Sequence, residues 1–308
     1  MFQLWTSARY TFPLPTEHRF PIAKYALVRE QVLINGIVAL DALHEPPRAT
    51  RDALLLVHTA DYVDRFLDGR LSPAELRRLG FPWSPALVER SLRAVGGTCE
   101  AAAAALDHGV AMNLAGGTHH AFADHGEGFC VFNDVAIAVR TLQHAGRVRR
   151  AAIVDLDVHQ GNGTNAIFTG DDSVFTFSMH GSRNYPFHKV SGSLDVALAD
   201  GTKDDEYLEQ LTIHLPAVLA RAQADLVVYL AGADPYEGDA LGRLGLSFEG
   251  LARRDAFVID LCREVGLPVA ITIAGGYGRH LADTVRIHLD TARIASAAAL
   301  SAPAELAH

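Results

Sequence analysis

Five short apolar runs, each bounded by glycine or polar residues, constrain the fold of this chain more than any other feature. Strands that are covered by helices on both faces have continuous rather than alternating apolarity, as in parallel sheets. The pattern therefore predicts buried strands of a mainly parallel sheet. The runs are Val110–Leu114, Ala151–Val154, Ser173–Phe177, Leu226–Leu230 and Pro268–Ile273.

Helical stretches alternate with these runs. They are predicted over Ser84–Asp107, Asn133–Ala145, Asp204–Ala224 and Ser247–Val265. Alternation of strand and helix predicts an α/β fold of three layers, α/β/α, around the central sheet. We predict a single domain over residues 1–308, because a chain of 308 residues is within the range of one large α/β domain. The Ala-rich tail at 295–308 is expected to finish a helix and then fray.

Charge and cysteine content disfavour several classes of function. The formal net charge is −9 and the only short basic run is 147–150, so direct nucleic-acid binding is disfavoured. Neither a signal peptide nor an apolar stretch of about 18 residues is visible, so no membrane association is expected. Three scattered cysteines, Cys99, Cys130 and Cys262, form no disulfide framework. These features predict a cytoplasmic protein.

Each of the five runs leads into a cluster of polar residues and glycines. In open parallel sheets, the ligand crevice lies at the carboxyl ends of the strands. Segments about 160 residues apart in sequence are therefore expected to meet at one site. The clusters are Gly116–His120, Asp155–Gly163, Ser178–His180, Ala231–Asp234 and Ala274–Gly278.

The second cluster places Asp155, Asp157 and His159 at alternate positions, on one face if the strand continues that far. Two carboxylates and an imidazole beside an apolar run are costly unless they bind a cation. Asp234, after another strand, offers a further ligand. Aspartate oxygen and histidine nitrogen suit zinc or ferrous iron, and three protein ligands with an open position are typical of a catalytic metal site. Each motif alone is common in solvated turns, but the combination favours the metal site.

Taken in order, these motifs resemble the zinc-dependent histone deacetylases, together with the acetoin-utilisation and acetylpolyamine amidohydrolase proteins. The resemblance extends from about His18 to about Asp290, and residues 159–163 and 201–245 are most similar to the class IV branch. It implies the arginase/deacetylase-like fold. The matching motifs are Gly116–Ala121, Gly128–Cys130 with Asn133-Asp134, Val154–Thr164, Gly232–Asp234 with Gly238-Asp239, Gly275–Tyr277 and the more N-terminal Val57–Val63.

The resemblance also implies an activity and a role for each site residue. The activity is metal-dependent removal of an acetyl or longer fatty acyl group from a lysine side chain or related amine, with acyl-lysine peptides, proteins or acylated small amines as partners. The implied cofactors are Zn²⁺, with Fe²⁺ as the alternative, and a structural K⁺ or Na⁺. The implied roles are zinc binding by Asp157, His159 and Asp234; catalysis by His119, His120 and Tyr277; support of the histidines by Asp155 and Asn162; monovalent-cation binding by Asp155, Asp157, His159 and Ser178; and a substrate tunnel formed by Phe129, Tyr185 and Leu241.

Two departures and two alternatives accompany this resemblance. Asn162 occupies a position that is Asp in some branches, and no acidic residue lies between Phe81 and Pro85 to match a rim Asp of some members. A binuclear ureohydrolase of the arginase type would need further carboxylates, and a non-catalytic binding protein would not need the full catalytic set. We assign packing to Cys130 rather than nucleophilic attack. We expect surface or satisfied-core positions for His58, His188 and His280.

Overall fold

The computed structural model describes residues 2–300, and its centre is one eight-stranded sheet in which all neighbouring strands are parallel. The strand order is β2-β1-β3-β8-β7-β4-β5-β6. The predicted parallel sheet is therefore confirmed. The strands are β1 (Gln3–Trp5), β2 (Leu43–His44), β3 (Val110–Asn113), β4 (Ala151–Asp155), β5 (Val174–Gly181), β6 (Leu194–Leu198), β7 (Leu226–Leu230) and β8 (Val269–Thr272).

Ten α-helices are found within residues 2–300, together with 3₁₀ turns at Ala8–Tyr10 and Leu40–Ala42. None of these helices combines the length and the apolar character needed to cross a membrane. The helices are α1 (Ala23–Ile34), α2 (Arg51–Leu55), α3 (Ala60–Leu67), α4 (Pro73–Leu79), α5 (Pro85–His108), α6 (Asp134–His144), α7 (Asn162–Ile167), α8 (Asp204–Ala222), α9 (Phe248–Glu264) and α10 (Leu281–Leu300).

The two faces of the sheet pack against different helices. Ile153 and Val228 point to one face and share a buried cluster with residues of α5 and α6. The adjacent strand residues Val154 and Tyr229 lie in the other cluster, together with residues of α1, α8, α9 and α10. Because successive strand residues face opposite sides, a strand with helices on both sides must be apolar throughout. The three-layer prediction is confirmed.

Three of the predicted helix starts are N-caps in the structure. The Ser84 side chain accepts a hydrogen bond from the backbone N–H of Leu87 at the start of α5. Asn133 and Ser247 cap α6 and α9 in the same way. A side-chain oxygen at this position satisfies a backbone donor that has no partner within the helix.

The structure corrects two predictions about strand ends. β4 ends at Asp155, so Asp157 and His159 lie in the following loop rather than on a continued strand. The strand predicted at Ser173–Phe177, which is β5 in the structure, instead continues to Gly181, so Ser178 and His180 lie within it. Pairing with the unpredicted strand β6 extends β5 in this direction.

Three strands and most N-terminal helices were not predicted from the sequence. β1 and β2 are only three and two residues long, too short for a periodic signal. At the other end, α10 continues through Ala295 to Leu300. The rest of the predicted frayed tail lies outside the described residues.

Candidate metal centre and substrate tunnel

Two loops at the carboxyl ends of β4 and β7 bring together the predicted metal ligands. The backbone N–H of Val158 donates to Asp234 Oδ1 at 2.9 Å, which ties one loop to the other. The N–H of Gly275, after β8, donates to Asp157 Oδ2 at 2.8 Å. Backbone donors that follow β4 and β8 thus orient the two carboxylates.

The three side chains form a compact group of ligand atoms. His159 Nδ1 lies 2.9 Å from Asp157 Oδ1 and 3.3 Å from Asp234 Oδ2. One ligand atom from each residue lies within 4.8 Å of the others, and all three residues are buried. Among residues 2–300, Asp234 Oδ2 has no hydrogen-bond donor in suitable geometry. A buried carboxylate oxygen without a donor is costly unless a cation binds it, so the group fits a divalent metal.

The electrostatics of this group also favour a cation. Burial lowers the pKa of His159, but its close contacts with Asp157 and Asp234 and the charges of these carboxylates outweigh this effect and raise the pKa to about 10. Burial, and then the charge of Asp157, raise the pKa of Asp234 to about 6. Two neighbouring buried carboxylates therefore create a negative potential that a metal ion would neutralise.

Gly275 is required by the closeness of the carboxylates. A Cβ at this position would lie 2.0 Å from Asp234 Oδ2 and 2.5 Å from Asp157 Oδ2. Any side chain here would collide with both carboxylates. Gly275 thus lets the loop after β8 lie close to the metal group, by which we mean Asp157, His159 and Asp234.

His119 and His120 lie beside the metal group but have different partners. His119 Nδ1 is 2.6 Å from Asp155 Oδ2, whereas His120 Nδ1 is 2.7 Å from Asn162 Oδ1. Burial lowers the pKa of His119, but the charges of Asp155 and then Asp157 raise it to about 9. Burial and the neighbouring charges of His119 and His159 lower the pKa of His120 well below its usual value. The two imidazoles therefore differ in their electrostatic environment, which raises the pKa of His119 and lowers that of His120.

A cavity of about 200 Å³ connects the metal group to the surface. Its lining includes both histidines and the predicted tunnel residues Phe129, Tyr185 and Leu241. Leu241 is 37% exposed, as expected for a residue at the rim. The structure thus places the three tunnel residues around the same cavity as the metal group.

Tyr277 also lines this cavity. Its backbone N–H donates to Asp239 Oδ2 at 2.6 Å, and the other Asp239 oxygen accepts from the N–H of Leu241. Burial, and then nearby acidic groups, raise the pKa of the Tyr277 phenol well above its usual value. The phenol is therefore protonated and can donate a hydrogen bond.

Phe129 reaches the cavity through a strained turn. Gly128 has φ 57° and Phe129 has φ 65°. Residues other than glycine rarely adopt this left-handed backbone region. A Cβ on Gly128 would lie 2.7 Å from His120 Cδ2. Strain of this kind persists where the surrounding structure fixes it and concentrates at functional sites.

Other predicted residues are placed as follows. Ser178 is the register neighbour of Asp155, but its hydroxyl is hydrogen-bonded to His180 Nδ1 at 3.0 Å. Cys130 is buried, and burial raises its thiol pKa well above the usual value, which agrees with packing rather than nucleophilic attack. His58 is a buried, hydrogen-bonded residue, while His188 and His280 are exposed.

Sequence reasoning missed an inner group from the N-terminal part of the chain. Phe20, Tyr25 and Arg90 line the cavity. Arg90 donates to the Tyr25 hydroxyl at 2.8 Å, and the buried Lys24 donates to the carbonyl of Ala274 at 3.1 Å. Lys24, Tyr25 and Arg90 lie in helices, and Phe20 lies in the bend before α1. None of them belongs to a recognisable motif, so no pattern in the sequence identifies them.

A second group that the sequence did not identify lies behind the loops that carry Asp157 and Asp234. Arg254 is fully buried, and its Nη1 donates to the carbonyls of Gly232 at 2.7 Å and Leu156 at 3.3 Å. Its Nε donates to Asp255 Oδ1 at 2.8 Å. In the sequence, Arg253-Arg254-Asp255 looks like the solvated face of a helix, and only the structure shows that this face is buried.

The site's residues lie within a region that matches known proteins. A family model described as histone deacetylase domain matches residues 17–292. An uncharacterised protein of Picosynechococcus sp. strain PCC 7002 is 47% identical over 279 residues, which cover 91% of this chain and 93% of that protein. Histone deacetylase 2 of Arabidopsis thaliana is 33% identical over 284 residues, which cover 87% of this chain and 73% of that protein.

Solved structures with a similar fold include homologues of the same family. The crystal structure of an HDAC homologue from Aquifex aeolicus matches with a TM-score of 0.83 at 26% identity, over 96% of this chain and 84% of that one. The family match spans every residue of the metal group, both histidines and Tyr277. The chain therefore belongs to the histone deacetylase family and is a hydrolase of the deacetylase type.

Proposed function

We propose that this protein is a zinc-dependent amidohydrolase that removes an acyl group from a lysine side chain or a related amine. One observation carries the proposal: a buried Asp-His-Asp group lies at the same cavity as two histidines and a protonated tyrosine. Zinc dependence of the family supports the choice of metal, and Fe²⁺ suits the same ligands.

The ion would be held by Asp157, His159 and Asp234, because one ligand atom from each of them lies within 4.8 Å of the others. A divalent ion there would supply Lewis acidity, which lowers the pKa of a water towards about 7 and polarises a carbonyl. The remaining steps depend on side chains of this chain.

His120 is suited to accept the proton of the attacking water. Its Nδ1 is engaged by Asn162, so Nε2 is the nitrogen that remains to act as general base. The Tyr277 hydroxyl would donate to the oxyanion that develops on the substrate. A protonated histidine, His120 after proton uptake or His119 beside Asp155, would then supply the proton to the leaving amine.

The tunnel suits an aliphatic stem. Phe129 and Tyr185 are aromatic walls of the cavity, and the apolar Leu241 lies at the rim. A lysine stem has four methylenes, which such walls can shield from water while the acyl group reaches the metal group. An acetyl or longer acyl group on a peptide, protein or small amine is the substrate class that we propose.

Tyr277→Phe tests this mechanism. Loss of one oxyanion donor is expected to lower kcat for deacylation roughly 100- to 1000-fold while bound zinc is unchanged. Activity would be measured on zinc-loaded protein with acyl-lysine and acyl-polyamine substrates, and zinc by elemental analysis. Tyr236→Phe is the matched control, because Tyr236 stacks on Phe248 away from the cavity. Near-normal turnover of Tyr277→Phe would remove the phenol from the mechanism.

Several finer features stay predictions. They are the class IV resemblance, the K⁺ or Na⁺ site at Asp155, Asp157, His159 and Ser178, the cytoplasmic location, and the lack of nucleic-acid and membrane partners. Loss of thermal stability on exchange of K⁺ for a large organic cation would support the monovalent site.

A further inference from the structure

We propose that Glu127 is a positioning residue that fixes the amide of Asn162 and, through it, the tautomer of His120. The inference rests on the proposed function, in which His120 is the general base. Glu127 begins the turn that carries Phe129, and its side chain is 15% exposed.

The hydrogen bonds of Glu127 determine which way the Asn162 amide points. Glu127 Oε1 accepts from Asn162 Nδ2 at 2.7 Å. An ionised carboxylate can only accept hydrogen bonds, so the NH₂ end of the amide must face Glu127. The carbonyl end, Oδ1, then faces His120 Nδ1 at 2.7 Å.

The orientation of the amide in turn determines the His120 tautomer. Asn162 Oδ1 can only accept, so His120 Nδ1 must carry the proton in this bond. In a neutral imidazole the other nitrogen, Nε2, then has a free lone pair. This is the tautomer that can take a proton from water. An asparagine alone would not enforce it, because a flipped amide offers its NH₂ group to the ring instead.

The two histidines thus reach a carboxylate in different ways. His119 contacts Asp155 directly at 2.6 Å, whereas His120 reaches Glu127 through the intervening amide. Asn162 is neutral and cannot balance a charge on His120. Because Glu127 accepts from the Asn162 NH₂ group, the oxygen of the Asn162 amide stays directed at His120.

Glu127 also connects the base to the tunnel wall. The Tyr185 hydroxyl donates to the same Oε1 at 2.7 Å, and Oε2 lies 3.7 Å from His125 Nε2. Burial raises the pKa of Glu127, but the nearby His125 imidazole and the hydrogen bonds from Tyr185 and Asn162 outweigh this effect and lower the pKa. The carboxyl is therefore ionised at neutral pH, as the amide orientation requires.

The test is Glu127→Gln in zinc-loaded, full-length protein, with ¹⁵N-labelled histidine. Two-bond ¹H–¹⁵N spectra distinguish the two imidazole tautomers, and His120→Gln assigns the signal. The wild type should show the Nδ1–H form at His120. In Glu127→Gln, the new amide can pair with either end of Asn162, so the Nε2–H form should appear and kcat should fall roughly 10- to 100-fold. KM should change much less than kcat.

A control and a rescue make the result specific. Glu209→Gln makes the same change at an exposed carboxylate on α8 and should change neither the spectrum nor kcat. Adding Asn162→Asp to Glu127→Gln places an acceptor-only group directly on His120 and should restore the Nδ1–H form and most of kcat.

Two outcomes separate this inference from the proposed function. A wild-type tautomer with wild-type kcat in Glu127→Gln overturns the positioning role. A changed tautomer with unchanged kcat supports positioning but overturns His120 as the base. If the wild type hydrolyses no acyl substrate, the proposed function fails while the tautomer spectrum still decides the role of Glu127.

Discussion

Behind the proposed metal site, a fully buried network contacts the loops that carry Asp157 and Asp234, whereas the outer wall of the proposed tunnel consists of partly exposed residues. We call the first the rear support, formed by Tyr229, Arg254, Asp255 and Thr291. Tyr229 and Thr291 donate to the two oxygens of Asp255 at 2.5 and 2.6 Å. The tunnel wall consists of Phe129, Tyr185 and Leu241, and it lies on loops.

In the proposed function, this difference separates residues that stabilise the fold from residues that contact the substrate. The rear support satisfies buried charges and carbonyls with each other, so removing one member leaves the others unpaired. The tunnel wall has solvent on one side, so a change there can be accommodated without loss of folding. We expect the largest effects on unfolding at the rear and the smallest at the rim.

Arg254→Met should give the largest effect. It leaves Asp255 buried without its cation and removes the donor to the carbonyls of Gly232 and Leu156, at an expected cost of about 3–5 kcal/mol in the free energy of unfolding. Urea unfolding followed by circular dichroism measures this cost. The neighbouring Arg253→Met is the control, because Arg253 is 52% exposed and its ion pair with Asp205 should contribute under about 1 kcal/mol. Equal effects of the two variants would contradict the rear support.

His58 should give an intermediate and pH-dependent effect. It supports the loop that carries Phe129: Nδ1 donates to the Phe122 carbonyl at 2.9 Å, and Nε2 accepts from the Asn133 N–H at 3.0 Å. Burial lowers its pKa to about 4, below the usual 6.5, so the unfolded chain binds more protons between these values. Stability is therefore present at higher pH and lost as the pH falls from about 6.5 towards 4.

The size of the His58 effect can be measured against a variant. From pH 7 to pH 5, the wild type should lose about 2 kcal/mol of unfolding free energy through His58. His58→Gln has no titrating group there, so its loss over the same interval should be smaller by this amount. Parallel curves for the two proteins would show that His58 is not held neutral in the fold.

Phe187→Ala should give the smallest effect on stability. Phe187 is 82% exposed and contacts the tunnel residue Tyr185 edge-on, with ring centroids 6.3 Å apart. Its removal should change unfolding by less than about 0.5 kcal/mol. We expect kcat/KM to fall roughly fivefold for acyl-lysine in a peptide and less for the free acyl-amino acid, because only the longer carrier reaches the rim. Ile213→Ala on α8 is an exposed apolar control.

The sequence predicted the parts of this molecule whose signal is local or whose motif is strong. The central strands are continuously apolar, and Ser84 and Ser247 lie at the caps where helices were expected to begin. The metal group was predicted because strand ends of a parallel sheet converge. Asp157, His159 and Asp234 meet as expected, although the first two lie in a loop rather than on a strand.

The features that the sequence did not predict are those that depend on tertiary packing. Arg254 is charged in an amphipathic helix, a pattern that indicates a solvated face, and only packing against the metal loops makes it a buried support. Glu127 lies one residue before the Gly128-Phe129 motif, yet its role depends on Asn162 and Tyr185, which are 35 and 58 residues away. Short edge strands such as β2 are specified by their neighbours and not by their own composition.

The most direct test of the central claim is zinc bound per chain in the wild type and in Asp234→Asn, after equilibrium dialysis against buffered Zn²⁺. The substitution keeps an oxygen for the Val158 N–H but replaces the unpartnered Oδ2 with an NH₂ group, which cannot bind a metal. We expect one zinc per wild-type chain and loss of tight binding in the variant, with the fold intact. Equal zinc in both proteins, none in the wild type, or two ions per chain would contradict a single metal held by these three side chains.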